Sequence, residues 1–211
     1  MYFSAISGNL EDFMTTNYLR DTAMQAGLQT EYIEIERIGF NAPRKRFVDE
    51  REQHIAACFK LYPWEWMTRE KFGPQVMLDN TWWLESAWKM LLSNKAILPI
   101  LYELFPDSPY LLPASFEPMN TSAYVRKPML SREGANVGVI VDGKATVETE
   151  GIYAGPWVYQ QYHELPNYEG NYPVIGSWMV NGHACGIGIR EDRSPVTQNL
   201  SRFVPHVFTR R

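Results

Sequence analysis

Hydrophobic and polar positions alternate at the start of the chain and then change to a helical period. Tyr2 to Ser7 alternates with the period of a strand, and a helix is predicted from Asn9 or Leu10 up to Gly27. Thr30 to Ile35 alternates again as a second strand. A strand, a helix and a strand in this order predict a βαβ unit with parallel strands and a right-handed crossover. We expect an exposed sheet edge at Tyr2 to Ser7.

The middle of the chain has a mostly helical pattern. Asp49 to Leu61 is amphipathic and is predicted to be a helix, and Trp64 to Phe72 predicts another, shorter one. A helical period returns from Trp83 to Leu92. Ala96 to Phe105 predicts a further helix, in which Pro99 falls within the first turn, where its missing N–H costs little.

The pattern then changes to that of antiparallel strands. A short run with high strand propensity at Tyr124 to Lys127 is followed by a polar loop and by the aliphatic run Val137 to Val141. This second run ends at Asp142-Gly143, a two-residue hairpin turn. Three more strands are predicted further along: Trp157 to His163, Tyr172 to Val180 and Ala184 to Arg190.

These elements predict an α+β fold in three segments. Residues 1–45 form a βαβ remnant, residues 46–118 a helical segment, and residues 119–211 an antiparallel, β-rich part.

Charge and composition exclude several classes of partner. The 211 residues carry a net charge of −4, so no basic surface for nucleic acid is indicated. No apolar run is long enough to span a bilayer, and no signal peptide opens the chain, which predicts a cytoplasmic protein without a membrane partner. Cys58 and Cys185 lack the spacing of metal ligands, and both are expected to be buried free thiols.

Seven tryptophans are many for this length, and most of them lie between Trp64 and Trp88. Aromatic clusters can bind sugars or bases, but large aromatic side chains more often fill a core. The helix-like sequence around them favours a role in the core.

Common catalytic motifs are absent from the sequence. The four histidines have no metal-ligand spacing, so no zinc site is indicated. There is no G-x-S-x-G elbow, no Walker A motif and no G-x-G-x-x-G. Serine hydrolases and the common nucleotide-binding folds are therefore not indicated.

Two lysines lie in apolar surroundings. Lys95 stands at a helix start and Lys127 in a strand. A lysine in an apolar stretch needs a carboxylate partner or an anionic ligand to offset its desolvation. Backbone N–H groups of the loop Ser131 to Gly134 could add an anion-binding nest. A pair of structural salt bridges and a phosphate site both remain open from the residues alone.

Several longer segments carry a resemblance to a known family: LLSNKAILPILYELFPDSPYLLPA, YVRKPMLSREGANV, VYQQYHELP, IGSWMV and GIGIREDRSPVTQNLSRFVPH. In this order they resemble the C-terminal half of the glutathionylspermidine synthase family of ATP-grasp ligases. They are closer still to its single-domain bacterial branch of acid–amine ligases. The resemblance runs from about Phe59 to the C-terminus, and we expect it to include the N-terminal βαβ segment. It implies an ATP-grasp-like nucleotide-binding part and ATP, a small-molecule acid and an amine as ligands.

The resemblance also implies roles for individual residues. Lys95 and Lys127 match the lysines that bind the nucleotide phosphates, and Arg190 matches a catalytic arginine that stabilises the transferring phosphoryl group. The remaining positions match a loop over the phosphates, a strand that binds the adenine edge and a further wall of the nucleotide pocket: Ser131, Glu133 and Gly134; Gln160, Gln161, Tyr162 and His163; Val196 and Thr197.

Two departures from the family pattern leave alternatives open. The family's magnesium ligands lie in an earlier segment, on an Arg-x-Asp strand followed by a Glu-x-Asn-Ala-Asp strand, and this pair of strands is not found here. The resemblance therefore implies ATP and Mg²⁺ with the metal ligands outside this chain, as in a C-terminal fragment of a ligase. A non-catalytic module that binds a nucleotide or a partner is the alternative. The loop Ser131 to Gly134 also leaves open substrates other than glutathione and spermidine.

Overall fold

The chain folds into two units, which a computed structural model describes for residues 1–78 and 80–209. The units are Met1–Leu91 and Leu92–Arg211. The three segments predicted from the sequence, with boundaries at residues 45 and 118, were defined by sequence pattern, whereas these two units are defined by contacts between residues. The three-segment division stays a prediction.

The first unit contains a parallel sheet with strand order β2-β1-β5-β6 and a small antiparallel pair, β3 and β4. Three short 3₁₀ turns, Ile35–Arg37, Gly73–Met77 and Ala87–Lys89, connect some of its elements. Its helices and strands are β1 (Tyr2–Ala5), α1 (Leu10–Gln25), β2 (Glu31–Glu34), β3 (Gly39–Asn41), β4 (Arg46–Val48), β5 (Ala57–Leu61), α2 (Trp64–Met67) and β6 (Trp82–Leu84).

The predicted βαβ unit is confirmed. β1 and β2 pair in parallel, with Tyr2 opposite Glu31 and Ala5 opposite Glu34. Asn9 caps α1 because its side chain accepts a hydrogen bond from the Asp12 N–H at 3.2 Å. Local signals were sufficient here because the cap, the helix and both strands are contiguous in sequence.

The helix predicted over Asp49 to Leu61 is wrong. The Asp49 side chain accepts hydrogen bonds from the N–H groups of Arg51 at 2.9 Å and Gln53 at 2.8 Å, which folds the start of this stretch into a turn. Its end is β5, which pairs in parallel with β1. The exposed edge predicted at Tyr2 to Ser7 is wrong for the same reason, since β1 lies between β2 and β5.

An aromatic core fills the first unit. Trp64 and Trp83 are buried and meet edge to face, with ring centroids 6.2 Å apart, and Phe47 packs edge to face on Trp83 at 5.2 Å. The predicted core role is confirmed for these two tryptophans, whereas Trp82 and Trp88 are exposed.

After α3 (Met90–Ser93), which crosses the boundary between the units, the second unit contains two antiparallel sheets with the orders β10-β9-β8-β11-β7 and β12-β13-β14. Its elements are α4 (Ile97–Leu104), β7 (Ala114–Ser115), β8 (Ala123–Pro128), β9 (Gly138–Val141), β10 (Lys144–Glu148), β11 (Trp157–Gln161), β12 (Tyr172–Val180), β13 (His183–Asp192) and β14 (Arg202–Val204). A parallel sheet in one unit and antiparallel sheets in the other confirm the α+β class.

Two sequence expectations in the second unit had different outcomes. The Asp142-Gly143 turn is confirmed, since both residues have positive φ, 49° and 74°, and join β9 to β10. The buried thiol predicted at Cys185 is wrong, because this residue lies exposed on β13, whereas Cys58 is buried as expected.

In the described part of the chain, no helix combines the length and the apolarity that a membrane crossing requires.

Candidate functional site

One face of the five-stranded sheet brings Lys127 and Gln160 together. In the antiparallel register Lys127 lies opposite Val158, and Gln160 lies opposite Val125. Side chains two positions apart on a strand share a face, so Lys127 and Gln160 are diagonal neighbours. The Lys127 ammonium donates a hydrogen bond to Gln160 Oε1 at 2.7 Å.

Lys95 reaches the same region from the segment before α4. Its backbone N–H donates to the Met129 carbonyl at 2.9 Å, which ties this segment to the residue after β8. Its ammonium donates to the Ser131 carbonyl oxygen and, at 2.9 Å, to Ser131 Oγ. Lys95 is therefore fixed to Ser131, in the loop between β8 and β9.

The electrostatic environment of the two lysines is positive. Burial lowers the pKa of Lys127 below the ordinary lysine value, and the charge of Lys95 lowers it further. Burial also lowers the pKa of Lys95, with a further contribution from the charge of Arg132. Neither lysine has a carboxylate partner within residues 1–78 and 80–209. The pair of salt bridges that the sequence left open is therefore not formed.

The direction of these pKa changes has a consequence for ligand binding. Because each pKa is lower in the folded chain than in the unfolded chain, the charged lysines lower the stability of the fold at neutral pH. This cost is relieved as the pH rises through the folded value. A polyanion bound between the two ammonium groups would offset the cost by stabilising their charged forms.

The loop from 131 to 136 contacts Lys95 through Ser131 and is closely packed. Ser131 is buried, and Gly134 has φ +69°. A Cβ at Gly134 would lie 2.3 Å from the Thr197 carbonyl oxygen, so only glycine permits this approach. Thr149 Oγ1 donates to the Gly134 carbonyl oxygen, and the Asn136 side chain bonds the backbone of Gly151 and Tyr153 at 3.1 and 2.8 Å.

Asp192 and Ser201 hold the segment that carries Val196 and Thr197. Ser201 Oγ donates to the Asp192 carboxylate and accepts the Gln198 N–H at 2.8 Å. The hydrogen bond from Ser201 and that from the Ser194 N–H lower the pKa of Asp192. These hydrogen bonds hold the segment in place, with Thr197 against Gly134 and Val196 buried.

Arg190 also holds this segment in place through hydrogen bonds. Its Nη2 donates to the carbonyl oxygens of Gln198 at 2.6 Å, Asn199 at 3.0 Å and Ser201 at 3.3 Å. The guanidinium carbon also lies 5.2 Å from the centroid of the Phe203 ring. These contacts are to the polypeptide around Val196, and the catalytic role predicted for Arg190 stays a prediction.

The four positions predicted to bind adenine divide into two pairs. Gln160 and Tyr162 are partly buried, and Tyr162 packs against the apolar cluster described next. Gln161 and His163 are exposed. The N–H groups of Gln161 and Tyr162 already donate to the carbonyl oxygens of Pro113 at 2.8 Å and Ala123 at 3.4 Å.

An apolar wall, of which the sequence analysis assigned only Val196 to the site, lies on the same face as Lys127. Val137, Val139 and Val196 form a buried cluster, with Val125 among its partly buried neighbours. The valines alternate at 137, 139 and 141, a signal that could have placed them on one face. Arg132, which adds to the positive charge beside Lys95, was also missed.

A cationic pair beside an apolar wall suits a ligand with a polyanionic end and a flat apolar end. The residues that could bind the anionic end are Lys95 and Lys127. Among the residues whose positions the structure describes, no three His, Cys, Asp or Glu side chains lie close enough together to hold a metal ion.

Comparison with protein families gives one match over nearly the whole chain. Residues 1–209 match the family model described as "Glutathionylspermidine synthase preATP-grasp". The resemblance found in the sequence is confirmed, including its expected extension over the N-terminal βαβ segment.

Curated relatives agree with the family model. A Haemophilus influenzae protein named "Putative acid--amine ligase" is 44% identical over 209 residues, which are 94% of this chain and 53% of that protein. Trypanothione synthetase of Crithidia fasciculata is 39% identical over 131 residues, 58% of this chain and 20% of that enzyme. The chain thus spans about half the length of the first relative and a smaller part of the second.

Among solved structures, an ATP-grasp RimK domain protein of Sphaerobacter thermophilus is 10% identical, with a TM-score of 0.49 over 89% of this chain and 72% of that chain.

Proposed function

The chain belongs to the glutathionylspermidine synthase preATP-grasp family, and we propose that it carries the ATP-binding part of an ATP-dependent acid–amine ligase. Its relatives are named as ligases or synthetases, which supports this class of reaction. The acid and the amine are small molecules in this proposal. Substrates other than glutathione and spermidine stay open.

The observation that carries the proposal is the pair Lys95 and Lys127. Two partly buried lysines with lowered pKa values and no carboxylate partner in the described part of the chain call for an anionic ligand. A nucleotide triphosphate supplies several negative charges, and its base can lie on the apolar wall of Val137, Val139 and Val196. ATP therefore fits the residues that are present.

The other predicted positions take their roles around this anchor. The loop Ser131 to Gly134 would cover the phosphates with the backbone of Glu133 and Gly134, and Val196 and Thr197 would line the pocket. Tyr162 and the exposed side chains of Gln161 and His163 would meet the base. Arg190 would stabilise the transferring phosphoryl group, once freed from some of its carbonyl contacts.

The proposed reaction passes through an acyl phosphate. The terminal phosphoryl group of ATP is transferred to a carboxylate oxygen of the acid, and ADP leaves. The amine then attacks the acyl carbon, the C–N bond forms as the bond to the phosphate oxygen breaks, and the amine gives up a proton to a base. The products are an amide, ADP and phosphate. Chemistry of this kind depends on positioning and positive charge more than on a protein nucleophile.

Magnesium belongs to the family reaction, but the described residues do not fit it. No cluster of carboxylates, histidines or cysteines suited to a metal is found among them. In our proposal its ligands lie outside the described residues. A module that binds nucleotide without turnover remains the second candidate.

Calorimetric titration of the purified chain with ATP and with adenosine tests the proposal. We expect ATP to bind at one site per chain and adenosine to bind far more weakly, because the lysines contact the phosphates. Addition of Mg²⁺, an acid and an amine then separates the candidates, since ADP release supports the ligase and binding alone supports the non-catalytic module. A folded chain that binds ATP no more tightly than adenosine would contradict both.

A further inference from the structure

Gln160 is bonded to the cation that the proposed function places on the phosphates. Within the described residues, the Lys127 ammonium donates one hydrogen bond, to Gln160 Oε1 at 2.7 Å. An ammonium has three N–H donors, so two remain for a ligand. The bond to Gln160 therefore fixes the direction in which the other two point.

The chemistry of an amide suits this position. Its oxygen accepts from the ammonium and carries no charge, so Lys127 keeps its full positive charge. A carboxylate at the same place would pair with Lys127 and neutralise it, and an aliphatic side chain would leave one ammonium N–H without an acceptor. Glutamine at 160 thus orients the cation without weakening its attraction for an anion.

The strand register makes the arrangement rigid. β11 lies between β8 and β7, so Gln160 sits on an inner strand of the sheet. Val158, opposite Lys127, is fully buried and fixes both strands at this point. Resting on the proposed function, we infer that Gln160 is a positioning residue for phosphate binding, which acts through Lys127 rather than by contact with the base.

Inorganic tripolyphosphate separates the two roles because it has the phosphates of ATP but no base. We would measure the affinity of Gln160→Met and Gln160→Glu for ATP and for tripolyphosphate, with Gln53→Met as an exposed control. If Gln160 acts through Lys127, a given variant loses as much affinity for tripolyphosphate as for ATP. We expect each of these losses to be about tenfold or more. The control keeps the affinities of the unchanged chain.

The pH dependence of tripolyphosphate binding adds a measurement that general disruption of the fold would not reproduce. Affinity is lost at alkaline pH as the lysines lose their protons. A carboxylate beside Lys127 moves this loss to higher pH in Gln160→Glu, whereas loss of the acceptor in Gln160→Met moves it to lower pH. Lys95 is the other cation facing Lys127, and it is unchanged in both variants.

Several results would overturn the inference. The first is a loss of ATP affinity with unchanged tripolyphosphate affinity, which would show that Gln160 contacts the base. The second is an unchanged affinity for both ligands in either Gln160 variant, provided that circular dichroism shows the variant to be folded. If the unchanged chain binds tripolyphosphate but not ATP, the proposed function alone is refuted. The tripolyphosphate affinities of the Gln160 variants would then still show whether Gln160 acts through Lys127. Failure to bind either ligand would refute both.

Discussion

We expect Lys127→Met to weaken ATP binding by about a hundredfold, since charge-assisted hydrogen bonds contribute about 1.5–3 kcal/mol each. Methionine has a similar length and fills the same space on β8 without the charge. The fold should lose little stability, because the partly buried ammonium has no carboxylate partner in the described chain and its removal relieves desolvation. Isothermal titration gives the affinity, and urea unfolding gives the free energy of unfolding.

Lys144→Met is the matched control. Lys144 lies on the same sheet, at the start of β10, and is exposed. The Lys144→Met variant should bind ATP with the affinity of the unchanged chain. Equal ATP affinities for Lys127→Met and Lys144→Met would show that Lys127 does not contact the nucleotide.

Gly134→Ala should disrupt both the fold and the site. A Cβ there would lie 2.3 Å from the Thr197 carbonyl oxygen and 3.1 Å from a Val196 methyl group, and the residue has φ +69°. The clash is with backbone, which cannot turn aside as a side chain can. We expect the free energy of unfolding of the second unit to fall by about 3 kcal/mol, and ATP affinity to fall with it.

Gly143→Ala isolates the effect of backbone conformation. Gly143 has a similar φ of +74°, but a Cβ there has no atom within 4 Å. It should lower the free energy of unfolding by only about 1 kcal/mol and leave ATP affinity unchanged. If urea unfolding gave the same loss for both alanine variants, the packing of Gly134 on Thr197 would not matter to the fold.

Elements with signals close together in the sequence could be predicted. The Asn9 cap, the βαβ order and the Asp142-Gly143 turn each depend on a few adjacent residues, and each is confirmed. β5 could not be predicted in this way. Its strand conformation depends on pairing with β1, more than fifty positions away, and the amphipathic pattern of 49–61 concealed it.

β14 was missed for a similar reason. Arg202–Val204 lies in a polar tail without strand periodicity, and it becomes a strand by pairing with β13. The exposed thiol of Cys185 likewise follows from its place on a long hairpin, which the expectation of a buried thiol did not take into account.

For the site, the family resemblance named the residues but not their contacts. Lys127 and Gln160 are 33 positions apart, and only the register of β8 and β11 makes them neighbours. The contact of Gly134 with Thr197 joins two loops that the resemblance placed in one pocket, but no local signal in the sequence shows that they touch. The roles of these residues remain predictions for experiment.

The position of a bound nucleotide tests the central claim most directly. We would determine the crystal structure of the chain with a non-hydrolysable ATP analogue. The proposal predicts phosphate oxygens within hydrogen-bonding distance of the ammonium groups of both Lys95 and Lys127, with the base against the wall of Val137, Val139 and Val196. A nucleotide bound with its phosphates away from both lysines would contradict it.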